Sequence, residues 1–157
     1  MKIHFLGIGG IGVSALAKYY LQTGHEVSGC DLVSSEITEQ LKKMGVNIRI
    51  GLPDSSCSVG AEKIIYSPAV SKDNLEVRNS SLEILSYPQA LGELTKTHYT
   101  IAISGTHGKS TTTSMVGLLL ANAGFDPTII VGTKLKELGD SNCRVGKSKY
   151  LVIEGSF

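Results

Sequence analysis

Two glycine-rich turns carry the residue types that could bind phosphate groups. The first, Gly7-Ile8-Gly9-Gly10-Ile11-Gly12, is a complete G-x-G-x-x-G pattern between an apolar strand pattern and a helical one. Glycines at this spacing allow a tight turn, a close approach of the backbone to a pyrophosphate and close packing of helix on strand. Exposed N–H groups at the start of the following helix would face the anion. The turn predicts a site for a nucleotide diphosphate, although glycines that only permit a tight turn remain an alternative.

Asp31 is the acidic residue that belongs with this turn. It follows Gly12 by about 20 residues at the end of the second strand pattern, where a carboxylate can accept a hydrogen bond from a ribose hydroxyl. A strand-end aspartate can also serve only as a cap of the local backbone. Both interpretations of Asp31 stay open at this point.

The second turn runs Ser104-Gly105-Thr106-His107-Gly108-Lys109-Ser110-Thr111 and contains the short phosphate-binding pattern G-x-x-G-K-[ST]. Gly108 provides the turn, Lys109 offers a point charge for the β- and γ-phosphates, and the Ser110 hydroxyl is a magnesium ligand. His107 could face a phosphate or a second substrate, or only shape the loop. We interpret His4, His25 and His98 as structural or surface residues.

A carboxylate for the same cation is predicted near the end of the chain. Leu151-Val152-Ile153-Glu154 is an apolar strand pattern that ends in a single acidic residue. Magnesium-bound nucleotides use a carboxylate at the carboxyl edge of a neighbouring strand. We therefore predict that Ser110 and Glu154 bind the metal together.

The elements that must position these residues alternate along the chain. Strand patterns occur at 3–6, 26–30, 46–50, 63–66, 100–103, 128–131 and 150–153, and helix patterns follow both turns, start at Ser34 or Ser35, and recur near 88–95. Alternation of this kind is typical of α/β folds with parallel sheets. On the helix after the second turn, the apolar residues expected to face the core are Met115, Val116, Leu119, Leu120 and Ala123.

The composition bounds what the chain can be. Its 157 residues suggest one domain, its net charge of +1 gives no sign of a nucleic-acid or anionic-membrane partner, and 41% hydrophobic residues exclude general disorder. Three cysteines without a CxxC pair are typical of reduced thiols in a cytosolic protein, and no apolar run after the first turn is long enough to span a bilayer. We expect a cytoplasmic protein without membrane insertion.

Two phosphate-binding turns override the single-domain expectation from length. The strand–turn–helix unit occurs twice, and only about 60 residues follow position 97, near the lower limit for an independently folded domain. We predict a first domain over residues 1–97 and an incomplete second domain over 98–157, both belonging to a longer enzyme.

Three segments resemble the Mur ligase family: Gly7 to Ala15, Ser67 to Asn74 (Ser-Pro-Ala-Val-Ser-Lys-Asp-Asn) and Gly105 to Thr113. The resemblance implies a Rossmann-like parallel-sheet domain that binds a UDP-sugar, the beginning of a P-loop α/β domain that binds ATP and Mg²⁺, and a third domain absent from this chain. It implies an ATP-dependent ligase of peptidoglycan precursor synthesis that joins L-alanine to UDP-N-acetylmuramate through an acyl phosphate. The expected partners are these two substrates and the remaining domains of the same enzyme.

The resemblance also assigns residues to each ligand. Lys109 is expected to be catalytic, and Ser110 and Glu154 are expected to bind the metal. The residues expected to bind ATP are Gly105, Thr106, His107, Gly108, Lys109, Ser110 and Thr111. Those expected to bind the UDP-sugar are Gly7, Gly9, Gly10, Ile11, Gly12, Asp31, Ser67 and Ala69.

Departures from the family pattern and alternative functions accompany this prediction. Tyr87 stands where many relatives have arginine, and the chain reads Gly155-Ser156-Phe157 where the family continues with an acidic stretch. The related murein tripeptide ligases usually read G-I-C-G-T in the first loop, so Gly9 favours the alanine-joining branch. A nicotinamide dinucleotide-binding module, either a dehydrogenase or a sensor, would leave the second turn unexplained. A chain that binds a UDP-sugar without catalysis is a third hypothesis.

Overall fold

The computed structural model describes residues 1–52, 57–71, 74, 77 and 82–155. The chain divides into two compact units, Met1–Ala90 and Leu91–Phe157. The division falls a few residues before the boundary predicted between positions 97 and 98, within the helix that follows the last strand of the first unit. Each unit contains one sheet and one of the two glycine-rich turns.

The first unit is a parallel sheet with connecting helices. Its strands lie in the order β3-β2-β1-β4-β5, and every pair is parallel. The elements are β1 (Lys2–Leu6), α1 (Ile11–Gln22), β2 (Glu26–Asp31), α2 (Glu36–Lys43), β3 (Asn47–Ile50), β4 (Lys63–Tyr66), β5 (Glu83–Ser86) and α3 (Tyr87–Thr95), the last of which crosses the division between the units. The strand order reverses between β1 and β4, which leaves a crevice at the carboxyl ends of these strands.

The central strand of the first sheet, β1, is buried on both faces. Ile3, His4, Phe5 and Leu6 are each at most 1% exposed, as expected for a strand covered on both faces. Helix α2 begins at a capping box in which the Ser35 and Thr38 side chains bond each other's backbone N–H groups. These local and long-range features agree with the alternating pattern read from the sequence.

The second unit has a sheet of order β6-β9-β7-β8. Its elements are β6 (Tyr99–Ile103), α4 (Lys109–Asn122), β7 (Thr128–Leu135), a short 3₁₀ helix (Lys136–Leu138), β8 (Ser141–Arg144) and β9 (Tyr150–Glu154). Strands β6, β9 and β7 are parallel, whereas β8 pairs with β7 in the antiparallel sense. The predicted α/β fold class is confirmed, but β5 and β8 were not predicted, and β7 is longer than expected.

The buried face of α4 differs from the predicted one. Met115 is 64% exposed and Leu119 is 68% exposed, whereas Thr113, Ser114 and Gly117 are buried. Gly117 faces Ile129 so closely that a β-carbon at position 117 would lie 2.8 Å from the Ile129 Cδ1 atom. The helix therefore packs on the sheet through its small residues, and the prediction for Met115 and Leu119 is wrong because it used apolar periodicity alone.

In the described ranges, the helices are too short or too polar to cross a lipid bilayer.

Candidate functional site

A cavity of about 510 Å³ lies at the carboxyl ends of β1, β2 and β4, in the crevice that the strand order creates. Five residues predicted to bind the UDP-sugar line it: Gly7, Gly10, Asp31, Ser67 and Ala69. Its wall also includes Val70, Ser71 and Asn74 of the family-like segment, and residues that the sequence did not single out: Leu6, Cys30, Leu32 and Gly51. The ends of β1, β2 and β4 supply most of this set, so the missing signal was the order of the strands.

The first glycine-rich turn uses several of its own amides to hold its shape. The N–H groups of Gly7 and Ile8 both donate to the Cys30 carbonyl, at 2.9 and 3.1 Å, and that of Gly10 donates to the Gly7 carbonyl at 3.1 Å. The Gly9 N–H donates to Oδ2 of Asp31 at 2.8 Å. Four backbone contacts thus hold the turn in place at the start of α1, and the first N–H groups of a helix are where anions are commonly bound.

Asp31 binds the turn rather than standing apart from it. Besides the bond from Gly9, its Oδ1 atom accepts from the Val33 N–H at 3.4 Å. The carboxylate also lines the cavity, so the same side chain links the end of β2 to the glycine turn and borders the space that a ligand would fill. This arrangement supports the strand-cap interpretation, while a contact of Asp31 with a ribose stays a prediction.

Gly12 lies against Tyr87, the residue that departs from the family pattern. A β-carbon at position 12 would lie 2.8 Å from Cζ and 2.9 Å from the hydroxyl oxygen of Tyr87. Tyr87 itself is 8% exposed, so its ring has little room to move. The third glycine of the pattern is therefore needed here for close packing of α1 on a neighbouring side chain.

The turn after β4 forms the opposite side of the crevice. The Ser67 N–H donates to the Leu6 carbonyl at 2.9 Å, which joins this turn to the end of β1. The Ser67 hydroxyl accepts from the Ala69 N–H at 3.3 Å. A local turn of this kind keeps Ser67 and Ala69 at the cavity wall, as the predicted binding set requires.

The second glycine-rich turn connects β6 to α4. Gly108 is the N-cap residue of α4 and has φ +73°. The Lys109 ammonium group donates to the Gly105 carbonyl at 2.8 Å, so the lysine folds back over its own loop. His107 is an exposed residue of the same loop, between Gly105 and Lys109 in sequence. In this position the phosphate oxygens of a nucleotide would replace the Gly105 carbonyl as acceptors of the Lys109 ammonium group.

Ser110 and Glu154 lie together although 44 residues separate them in sequence. The Ser110 hydroxyl donates to Oε2 of Glu154 at 2.8 Å. Glu154 reaches this point because β9 pairs directly with β6, the strand that leads into the turn, with Glu154 opposite Ile103. The Gly132 N–H, from β7 on the other side of β9, donates to the same Oε2 atom at 2.8 Å. Gly132 was not predicted to be near the site.

The donor set fits a magnesium ion held jointly with phosphates. Hydroxyl and carboxylate oxygens are the hard ligands that Mg²⁺ prefers, and it is commonly bound by one or two protein groups plus substrate phosphates and water. No cluster of three or more His, Cys, Asp or Glu side chains suited to a metal occurs in the part of the chain that the structure describes.

Comparison with known proteins shows the same family over most of the chain. A sequence profile described as "Mur ligase family, catalytic domain" matches residues 2–99. Among curated relatives, the chain is 46% identical to the UDP-N-acetylmuramate–L-alanine ligase of Geotalea daltonii and 42% identical to that of Clostridium kluyveri, each over 98% of its own length. It spans only 34% of the length of either relative.

Solved structures agree with the sequence comparison. The chain matches UDP-N-acetylmuramate–alanine ligase MurC from Thermotoga maritima with a TM-score of 0.85 at 33% identity, covering 98% of this chain and 36% of that one. It matches a UDP-N-acetylmuramate:L-alanyl-γ-D-glutamyl-meso-diaminopimelate ligase from Neisseria meningitides with a TM-score of 0.87 at 29% identity, covering 98% of this chain and 52% of that one.

Proposed function

The chain belongs to the Mur ligase family, and we propose that it supplies the UDP-sugar-binding part and the phosphate-binding part of an ATP-dependent ligase that joins L-alanine to UDP-N-acetylmuramate. The observation that carries this proposal is the hydrogen bond of 2.8 Å from the Ser110 hydroxyl to Oε2 of Glu154. With Lys109, the preceding residue, it brings a hydroxyl, a carboxylate and an ammonium group to one glycine-rich turn. Relatives named for this reaction match the chain at 42–46% identity, although it spans about a third of their length.

Lys109, Ser110 and Glu154 have distinct roles in this proposal. Lys109 exchanges the Gly105 carbonyl for β- and γ-phosphate oxygens of ATP, and the amides at the start of α4 bind the same phosphates. Ser110 and Glu154 hold Mg²⁺. When bound, the ion neutralises negative charge on the phosphoryl group that is transferred. The Lys109 ammonium group stabilises the same developing charge.

The chemistry that these residues would support has two steps. A carboxylate oxygen of the muramic acid attacks the γ-phosphorus of ATP, the bond to the bridging oxygen breaks, and ADP leaves with that electron pair. The amine of L-alanine then attacks the acyl carbon, phosphate leaves, and the amine loses a proton as the amide forms. The second step is proposed from the relatives' names alone, since the described residues assign no base to it.

The cavity of the first unit is the proposed site for the UDP-sugar. It lies at the point where the strand order reverses, which is where open parallel sheets bind nucleotides. Its volume of about 510 Å³ is within the range usual for small-molecule sites. In this proposal the start of α1 binds the diphosphate, and the turn at Ser67 and Ala69 forms the opposite wall.

Calorimetric titration of the chain tests this proposal. We expect UDP-N-acetylmuramate to bind, and NADH to bind far more weakly. Binding of NADH without binding of the UDP-sugar would instead support the nicotinamide module. A Ser67→Ala variant, which removes a hydroxyl from the cavity wall, serves as the site probe, and Ser148→Ala in the second unit is its control.

The murein peptide ligases are the second candidate, favoured by the similarly high TM-score of 0.87 with the Neisseria enzyme. The two candidates differ in the compound that is ligated to the UDP-sugar and not in the parts of the site that this chain contributes. Glycine at position 9, where the tripeptide ligases usually have cysteine, favours L-alanine. Competition between L-alanine and the tripeptide in a ligation assay on the whole enzyme would separate them.

A further inference from the structure

Gly132 lies beside Glu154, the proposed metal ligand, yet no phosphate-binding pattern in the sequence includes it. It is an exposed residue in the second half of β7, two positions after Ile130, which pairs with Ile153 of β9. Its N–H donates to Oε2 of Glu154 at 2.8 Å, the same oxygen that accepts from the Ser110 hydroxyl. Oε2 of Glu154 therefore accepts one hydrogen bond from Ser110 of α4 and one from Gly132 of β7.

A side chain at position 132 would also collide with the carboxylate as it is placed here. A β-carbon at position 132 would lie 2.7 Å from Oε2 and 3.2 Å from Cδ of Glu154. Contacts this short force one of the two groups to move. Since Glu154 is a flexible side chain at a strand end, the carboxylate is the group that would be displaced. The carboxylate can therefore keep this position only while residue 132 has no β-carbon.

We infer that Gly132 is a positioning residue of the phosphate-binding turn, which fixes the Glu154 carboxylate so that Ser110 and the carboxylate face a nucleotide-bound divalent cation in the correct orientation. The inference rests on the proposed function and extends it to a residue outside both motifs. With the Ser110 proton directed to Oε2, the lone pairs of its oxygen are left for the cation. Because Oε2 accepts from two donors, Oε1 is the carboxylate atom that would be available to a cation or to its bound water.

The energetic consequence follows from how metal sites depend on their supporting hydrogen bonds. Removal of a group that orients a metal ligand typically weakens metal binding 10- to 100-fold. Gly132→Ala adds one methyl group, leaves every ionisable side chain in place and keeps Lys109 as a phosphate ligand. We therefore expect it to weaken the metal-dependent part of nucleotide binding and to spare the metal-independent part.

The test measures Mn²⁺ binding by electron paramagnetic resonance in the presence of ADP, together with ADP binding in EDTA. Gly132→Ala should lower the apparent Mn²⁺ affinity by 10- to 100-fold while ADP binding in EDTA stays within twofold of the unmodified chain. Gly92→Ala is the matched control, because a β-carbon there meets no atom within 4 Å. Equal Mn²⁺ affinity in the unmodified chain and Gly132→Ala would overturn the inference. Failure of the unmodified chain to bind Mn²⁺ with ADP would instead overturn the proposed function.

A compensating substitution separates positioning from general damage. Glu154→Asp shortens the side chain and withdraws the carboxylate from position 132, so Gly132→Ala combined with Glu154→Asp should bind Mn²⁺ more tightly than the sum of the two single losses predicts. Additive losses would contradict the inference.

A measurement without any ligand decides the question if Gly132→Ala does not fold. In the unmodified chain, the amide proton resonance of Gly132 should lie downfield, and Glu154→Ala should move it upfield and speed its exchange with solvent. A Gly132 resonance that is the same in both chains would show that the bond to Glu154 does not form, and the inference would fail.

Discussion

Lys109 makes one hydrogen bond that defines its state before any nucleotide binds. Its ammonium group is held by the Gly105 carbonyl at 2.8 Å, within the same turn. Phosphate oxygens carry more negative charge than a carbonyl and would compete successfully for the same three donors. At the scale of single residues, the second turn thus holds the Lys109 ammonium group on a carbonyl acceptor that phosphate oxygens can replace.

We predict that Lys109→Ala weakens ADP binding by roughly 10- to 100-fold, because a hydrogen bond to a charged group contributes about 1.5–3 kcal/mol. Calorimetry with ADP and Mg²⁺ measures the change. Lys136→Ala removes an exposed lysine of the same unit and should bind ADP like the unmodified chain. In the whole enzyme, Lys109→Ala should also abolish formation of the acyl phosphate, and unchanged turnover would contradict the assigned role.

A second prediction at this scale concerns Gly12 and Tyr87. Gly12→Ala should destabilise the chain by about 1–3 kcal/mol, because the new methyl group overlaps a buried ring and the overlap outweighs the gain in helix propensity. Urea denaturation followed by circular dichroism measures the free energy of unfolding. The control, Gly92→Ala, has open space and should not lose stability. A Gly12→Ala chain as stable as the control would show that the Tyr87 ring moves freely.

At the scale of elements, β1 carries an ionisable residue in the centre of the first sheet. His4 is 1% exposed, and its Nδ1 atom lies 2.9 Å from the Ser28 hydroxyl of β2. Burial lowers the pKa of His4 from 6.5 to about 4, because the imidazolium form would lose its hydration in the core. The neutral ring is therefore the form that fits β1.

This lowered pKa predicts how stability depends on pH. The unfolded chain binds a proton near pH 6.5 and the folded chain only near pH 4, so the His4 contribution is fully present above pH 6.5 and is lost as the pH falls through this window. The loss amounts to about 3 kcal/mol. Urea denaturation at several pH values should show a smaller decrease between pH 6.5 and 4 for His4→Gln. His107→Gln, in an exposed loop, should keep the full decrease. Equal slopes for His4→Gln and the unmodified chain would contradict the assignment.

At the scale of the whole molecule, the two units differ in how much of a functional site each contains. Met1–Ala90 contains a five-stranded parallel sheet with a cavity at its carboxyl edge. Leu91–Phe157 contains the second glycine-rich turn, the proposed metal ligands Ser110 and Glu154, and a four-stranded sheet. The chain spans 34% of the length of the Geotalea daltonii and Clostridium kluyveri relatives.

We predict that the 157-residue chain binds a UDP-sugar but does not catalyse ligation. Binding needs one local cavity, whereas the reaction needs ATP, a carboxylate and an amine held together in a reactive geometry. ATP affinity should be weak, because the turn contacts phosphates only. Calorimetry and a phosphate-release assay on the purified chain provide the measurements. Phosphate release that depends on both UDP-N-acetylmuramate and L-alanine would contradict this prediction.

The local sequence predicted most of the elements, but not β5 or β8, and it identified both glycine-rich turns. Alternating strand and helix patterns gave the α/β class, and both glycine-rich turns lie between a strand and a helix as predicted. Ser110 and Glu154 were predicted as a pair, and their side chains are 2.8 Å apart, although their role in binding a metal stays a prediction. Motifs of this kind are readable because their chemistry depends on neighbouring residues and on the period of one element.

What only the tertiary structure decided depends on contacts between residues distant in sequence. The position of β9 between β6 and β7 brings Gly132 to Glu154, and no local pattern encodes that order of strands. Close packing of α4 on Ile129 buries Gly117 and leaves Met115 exposed, which apolar periodicity alone predicts wrongly. The sequence determined which residues can carry charge and where the backbone can turn, whereas strand order and side-chain packing determined which of them meet.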